Sequence, residues 1–182
     1  MATVKDAIAI AQECGFTHVA EMNVAGLKFF PEVRDMCAVD KCHAYNKNWC
    51  CPPACGTLEE CSARIQAYSH GIIVQTMGEL EDEFDFEGMQ ELNQNHAQYF
   101  RDMVPKLKEL FPEMLPLSAG DCSKCKTCTY PDAPCRFPET ATSPMEANGL
   151  LVSQVCEDNG IKYYYGKGTL AYTSCVVFNC AE

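Results

Sequence analysis

Cys122, Cys125, Cys128 and Cys135 stand in the stretch DCSKCKTCTYPDAPCRFPE, three thiols at every third position and a fourth that returns after a proline-containing loop. That arrangement suits a four-iron cubane: thiolates at close intervals on one curled loop each reach a different iron, and the loop's amide hydrogens turn toward the sulfides. Ferredoxin-type runs space the fourth cysteine more closely and place proline after it. Here six residues intervene and Pro134 precedes Cys135, so the spacing leaves open whether Cys135 serves this centre or another. Zinc is the competing metal, since any four thiols can form a tetrahedral site. Zinc sites favour two separated Cys-x2-Cys pairs, however, and three thiols in one tight run favour iron-sulfur.

A second thiol-rich stretch, CAVDKCHAYNKNWCCPPACGTLEEC, lies upstream. Cys37, Cys42, Cys51 and Cys61 are its candidate ligand set, with Pro52 and Pro53 fixing an extended backbone just after Cys51. Cys50 and Cys55 are left over. Vicinal cysteines point in different directions, so Cys50 reads as a small packed residue, although six thiols also suit an unusual or larger cluster. His43 follows a candidate ligand directly and is the histidine best placed to bind metal. Because the thiols already suffice, it reads as a solvent-facing or capping residue.

The chain has fourteen cysteines in 182 residues, a number that a disulfide scaffold would also explain. The N-terminal stretch MATVKDAIAIAQECGF argues against that reading, because it carries acids and a lysine within its apolar run and has no basic n-region, continuous h-region or cleavage site. The cytoplasm is therefore the expected compartment, and in a reducing compartment clustered thiols bind metal or do chemistry. No run approaches transmembrane length. The formal charge is −11, and each cubane on four thiolates adds about −2 more. An acidic chain offers no field to displace phosphate counterions, which argues against a nucleic-acid partner and for a basic protein partner.

The elements that must position these thiols follow from periodicity and caps. Residues 3–14 read as a helix capped by Thr3 and stopped by Gly15, residues 16–24 as a strand, and 27–56 as irregular. Thr57 to Glu60 forms a capping box that opens a helix through Tyr68, and 71–77 is a short buried strand. An acidic run over 79–87 leads into a long helix reaching about Phe111, with Pro105 expected to kink or split it. Those acids read as a solvated helix start, since nothing pairs them with a nucleophile for acid-base work. Residues 114–119 form a strand entering the second thiol group. Ser143 to Glu146 reads as another capping box, with proline at the first helical position and a helix ending near Gly160. Residues 161–165 and 170–178 then form a hairpin around Gly166-Lys167-Gly168-Thr169. That tetrapeptide is a turn and not a phosphate loop, because glycine follows the lysine. The whole, residues 1–182, reads as one α/β or α+β domain: a mixed sheet with flanking helices and two cysteine-rich cluster-binding loops. Cys14 and Cys156 fall late in helices and read as packing residues.

Taken together, the motifs resemble a known family. CxxxxCxxYxxxWxCPPxxG, present as Cys37, Cys42, Tyr45, Trp49, Cys51, Pro52, Pro53 and Gly56, is followed by CxxCxxCxxxxxxCRxPE and by SPMEANG. This order is similar to that of the predicted metal-binding proteins called domain of unknown function 2284, from the first helix through Gly149. The resemblance implies metal binding and an iron-sulfur centre, and it brings no substrate. In the family pattern the positions of Cys50 and Cys55 need not be cysteine, in keeping with their being left over. Cys175 and Cys180 belong to no motif.

The expectation is a soluble protein with two [4Fe-4S] clusters, on Cys37, Cys42, Cys51 and Cys61 and on Cys122, Cys125, Cys128 and Cys135, relaying electrons to or from a redox protein partner. Full thiolate ligation would close every iron and favour redox over Lewis-acid chemistry. An enzyme with one iron of the N-terminal centre open to substrate is the alternative, with Cys50, Cys55 or His43 beside it. A zinc-stabilised interaction module is the third reading.

Overall fold

Strand β2 (His70–Glu79) is the axis of the fold. Its branched residues are buried on both faces, and the two-residue period of a strand deals them out alternately: Ile72 and Val74 go to one hydrophobic cluster and Ile73 to the other. Strand β5 (Thr169–Phe178) pairs with it antiparallel along its whole length, Ile73 opposite Cys175. The computed structural model describes residues 2–180. β1 (His18–Glu21) pairs antiparallel with the outer edge of β2, β3 (Met114–Ser118) antiparallel with β5, and the two-residue β4 (Ser143–Pro144) parallel with β3. The order β1-β2-β5-β3-β4 makes a mixed five-stranded sheet, and with helices on both faces the fold is α+β.

Helices α1 (Val4–Glu13) and α4 (Phe86–Leu110) cover one face. Ala7 and Ala11 of α1, and Phe100, Met103 and Leu107 of α4, pack on Ile72, Val74, Val176 and Phe178. On the other face α3 (Leu58–Gln66) brings Ile65 and α5 (Val152–Asp158) brings Val155 and Cys156 against Ile73, Leu117, Cys175 and Val177. Thr3 and Thr57 both cap as expected, Thr57 in the expected box with Glu60 and Thr3 in a reciprocal box with Asp6 as well. Helix α2 (Pro31–Ala38) runs beside the 3-10 turn Glu146–Asn148. Phe30 N–H donates to the Gly149 carbonyl at 2.8 Å. Gly149 has φ 83°, and a Cβ there would strike Leu58, so glycine is needed both for the turn and for the close approach.

Three local expectations are corrected. The stretch 27–56 is not irregular throughout, since Pro31 at the first helical turn and Glu32 behind it start α2. The helix expected from Ser143 is instead β4, a 3-10 turn and then α5, because the Ser143 hydroxyl donates to the Cys50 carbonyl at 2.7 Å and accepts from Asn148 Nδ2 at 2.9 Å. It is thereby taken away from capping. The terminal hairpin is absent because both edges of β5 are occupied, by β2 and β3. Residues 161–165 instead tie to the sheet through side chains: Tyr165 donates its hydroxyl hydrogen to Gln75 Oε1 at 2.6 Å, and Gln75 Nε2 donates to the Lys162 carbonyl at 3.0 Å. Pro105 sits inside α4 without dividing it.

Candidate metal centres

The second thiol loop, residues 119–142, hangs between two paired strand ends. Leu117 stands opposite Ser143 and Ser118 opposite Pro144, so the sheet fixes both feet of the loop. Cys122, Cys125, Cys128 and Cys135 are each half-buried, while Asp121, Ser123, Lys124, Lys126 and Thr127, and residues 131–134 and 136–140, are exposed. The four cysteines are thus more covered than most of the loop around them. Thr129 Oγ1 donates to the Pro134 carbonyl at 2.8 Å and Arg136 Nη1 to the Thr127 carbonyl at 2.9 Å, closing the six-residue return. Backbone N–H groups point at the sulfurs: those of Lys124 and Thr142 at Cys122, and that of Phe137 at Cys135 at 3.4 Å.

The first thiol loop starts at the C-terminal end of α2, which carries Cys37. Asp40, His43 and Asn46 all take left-handed backbone, φ 56°, 58° and 55°, and coil the chain tightly. The Asp40 carboxylate holds the coil by accepting from Lys47 Nζ at 2.8 Å and from Tyr45 N–H at 2.9 Å; these two bonds lower its pKa, Lys47 first. Cys37, Cys42 and Cys51 line one cavity of about 340 Å³ with Tyr45, Pro52, Asp121 and Glu146. Burial pushes the Cys51 thiol up to about 11, with Asp121 and the two neighbouring thiols adding to the rise. Cys37 is raised for the same first reason, then by Glu146 and Cys42.

Cys61 is not on that cavity wall. It is fully buried at the start of α3, its thiol donating to the Cys55 carbonyl at 3.6 Å. Arg34 Nη1 donates to its sulfur at 3.5 Å and Arg64 Nη2 at 3.6 Å. The neighbouring Cys55 thiol first, and then the two guanidinium groups, hold the Cys61 pKa below the ordinary thiol value. Arg34 is itself fixed, giving Nη1 to the Ala147 carbonyl at 2.9 Å and Nη2 to the Gly56 carbonyl at 2.7 Å. Sequence reasoning missed both arginines: Arg34 reaches Cys61 from α2, which no local pattern encodes, whereas Arg64 lies three residues beyond Cys61 on α3, a spacing that could have signalled it. His43 is exposed, as expected.

The two loops dock on each other. Trp49 Nε1 donates to the Ala133 carbonyl at 3.1 Å, the Tyr130 hydroxyl donates to Asn46 Oδ1 at 2.7 Å, and the Trp49 and Tyr130 rings meet edge-on at 4.9 Å. Cys50, expected to pack, is buried, and its carbonyl accepts from Ser143 Oγ at 2.7 Å. No group of three or more His, Cys, Asp or Glu side chains among the described residues is arranged to hold a metal ion.

A mixed sheet from which two interlocked, thiol-bearing loops project is the build of a cysteine-rich metal-binding protein. The family model described as "Predicted metal-binding protein (DUF2284)" matches residues 20–178, which takes in both loops and all five strands but the start of β1. The chain belongs to that family. No curated protein and no solved structure matches it.

Proposed function

We propose that this chain is an iron-sulfur protein that holds two [4Fe-4S] clusters and relays electrons to or from a protein partner. Cys37, Cys42, Cys51 and Cys61 hold one, and Cys122, Cys125, Cys128 and Cys135 the other. The observation that carries the reading is four half-buried cysteines on a mostly exposed loop, with amides directed at two of their sulfurs, docked against a second thiol-bearing loop. Bound there, such clusters supply one-electron redox chemistry at potentials set by ligation, hydrogen bonds to sulfur and exposure. The chain's own part is positional. The N–H groups of Lys124, Thr142 and Phe137 spread negative charge from the sulfurs, Arg34 and Arg64 offset it at Cys61, and the docked loops keep the two groups side by side.

Anaerobic purification with iron and sulfide analysis, and visible spectra before and after dithionite, tests the reading. Brown protein with iron and sulfide near about eight each, bleaching on reduction, is the expected result. Colourless protein with stoichiometric zinc and no sulfide would end it and leave the zinc-stabilised interaction module.

One observation favours the enzyme alternative: three thiols, and not four, line the 340 Å³ cavity, while Cys61 is engaged with Cys55 and two arginines. An N-terminal cluster held by three thiolates has one iron free for a substrate in that cavity. Cys61→Ala separates the two readings. As a closed electron carrier the chain loses about half of its iron with Cys61; as the open-iron enzyme it keeps all of it.

A further inference from the structure

Where α4 passes the feet of the second thiol loop, the two leave a cavity of about 500 Å³ between them, within the range of small-molecule sites, about 300–1,000 Å³. Its lining divides by chemistry. Phe100, Val104 and Pro105, on one face of α4, make an apolar wall. The loop brings the ammonium of Lys124 from its first leg and the hydroxyls of Thr140 and Thr142 from its second, and α4 adds the guanidinium of Arg101. Gln98 Oε1 accepts from Arg101 Nη2 at 2.8 Å, which steadies the guanidinium and takes up one of its five donors. The floor is pinned and uncharged. Ala119 N–H donates to Ser174 Oγ at 2.8 Å, Ser174 Oγ lies 2.8 Å from His96 Nε2, and His96 Nδ1 lies 2.9 Å from Thr76 Oγ1. Desolvation holds the pKa of this imidazole at about 4, so it is neutral near pH 7.

Charge on the wall is therefore that of Arg101, Lys124 and Asp121, two positive groups and one negative. One positive charge is left over, in a chain whose formal net charge is −11. That balance matches a monoanion. A phosphate ester, at about −1.5 to −2, would stay in part unpaired beside Asp121. We infer that this cavity binds a small organic monocarboxylate, its carboxylate paired with Arg101 and Lys124 and its apolar body laid on Phe100, Val104 and Pro105. A guanidinium presents the planar pair of donors that a carboxylate takes, and the threonine hydroxyls supply further donors. Because the cavity touches both legs of the loop, a bound acid ties each leg to α4. The inference goes beyond the electron-carrier reading and uses none of the thiols.

Isothermal titration of the purified chain with benzoate, hexanoate, acetate, benzamide and inorganic phosphate tests the inference. At least one of benzoate and hexanoate is expected to bind at a single site. Acetate, which lacks the apolar body, and benzamide, which lacks the charge, are each expected to bind at least about tenfold more weakly. Arg101→Gln is expected to lose about tenfold or more in affinity for the acid that binds. Arg101 is exposed, so the change leaves the core untouched. Lys108→Gln, on the same helix but off the cavity wall, is expected to keep the wild-type affinity. Amide hydrogen exchange with and without the bound acid locates the site, with slowing expected over residues 119–124 and 140–142. The inference is overturned if neither acid binds, if Arg101→Gln binds as tightly as the wild type, or if benzamide matches benzoate. Phosphate binding more tightly than either acid, or slowed exchange confined to other parts of the chain, overturns it as well.

Discussion

His96 places an ionisable ring where charge is costly. It is 1% exposed on the inner face of α4, with Nδ1 2.9 Å from Thr76 Oγ1 and Nε2 2.8 Å from Ser174 Oγ. Desolvation lowers its pKa to about 4 from 6.5. A group whose proton is bound more weakly in the folded state stabilises the fold above its unfolded pKa and loses that contribution as pH falls toward the folded value. Between pH 6.5 and 4 the unfolded chain therefore takes up the proton first, and stability drops by about 2 kcal/mol at pH 5. Denaturant unfolding at pH 7 and pH 5 is expected to show that drop in the wild type and its loss in His96→Asn. Equal pH dependence in the two chains would mean that the imidazole stays protonated inside the core. At this same scale the thiols were only partly legible. Their spacing marked which cysteines lie on one loop, and neighbouring cysteines were expected to diverge. Where Cys50 would sit depends on the bond its carbonyl accepts from Ser143 across a long stretch of intervening chain, and no local pattern encodes it.

The elements divide between those fixed by local chemistry and those fixed by docking. Thr3 and Thr57 cap as their boxes require, and the branched run of β2 forms a buried central strand. Ser143 carries the same kind of signal and does not cap, because Cys50 and Asn148 claim its hydroxyl; a local propensity yields when a buried polar group offers a stronger partner. The acidic run before α4 behaves as expected: Asp85 caps the helix through Gly88 N–H at 2.8 Å, and Glu79, Glu81, Asp82, Glu83 and Glu87 are exposed. Loop docking, by contrast, hangs on few contacts. Trp49→Ala removes the bond to Ala133 and the edge-on contact with Tyr130, together worth about 1.5 to 2 kcal/mol. Amide hydrogen exchange across residues 121–140 is expected to quicken by about tenfold or more, while β2 and β5 keep their protection. Unchanged exchange in that loop would show that the strand pairing at its feet suffices to hold it.

At the scale of the molecule, the sheet separates two tasks. Both its faces are covered by apolar clusters, so the fold has a core without drawing on the thiol loops. Those loops dock on each other, and the chain as a whole is acidic, with a formal charge of −11. Such a field repels acceptors of like sign and raises the encounter rate with basic ones. At about 0.15 M salt the Debye length is about 8 Å, short enough to screen most of that steering. For an electron carrier this fixes how rate depends on salt. Electron transfer from the dithionite-reduced chain to a basic haem protein, followed by stopped flow, is expected to slow by at least about tenfold as ionic strength rises from about 0.01 to 0.2 M. Transfer to an uncharged small-molecule acceptor is expected to stay constant over the same range, because no long-range attraction is lost. If both rates are flat, the acidic surface serves solubility alone and the partner is not selected by charge. If both fall together, salt acts on the centres themselves, and the encounter with a partner is not what limits the rate.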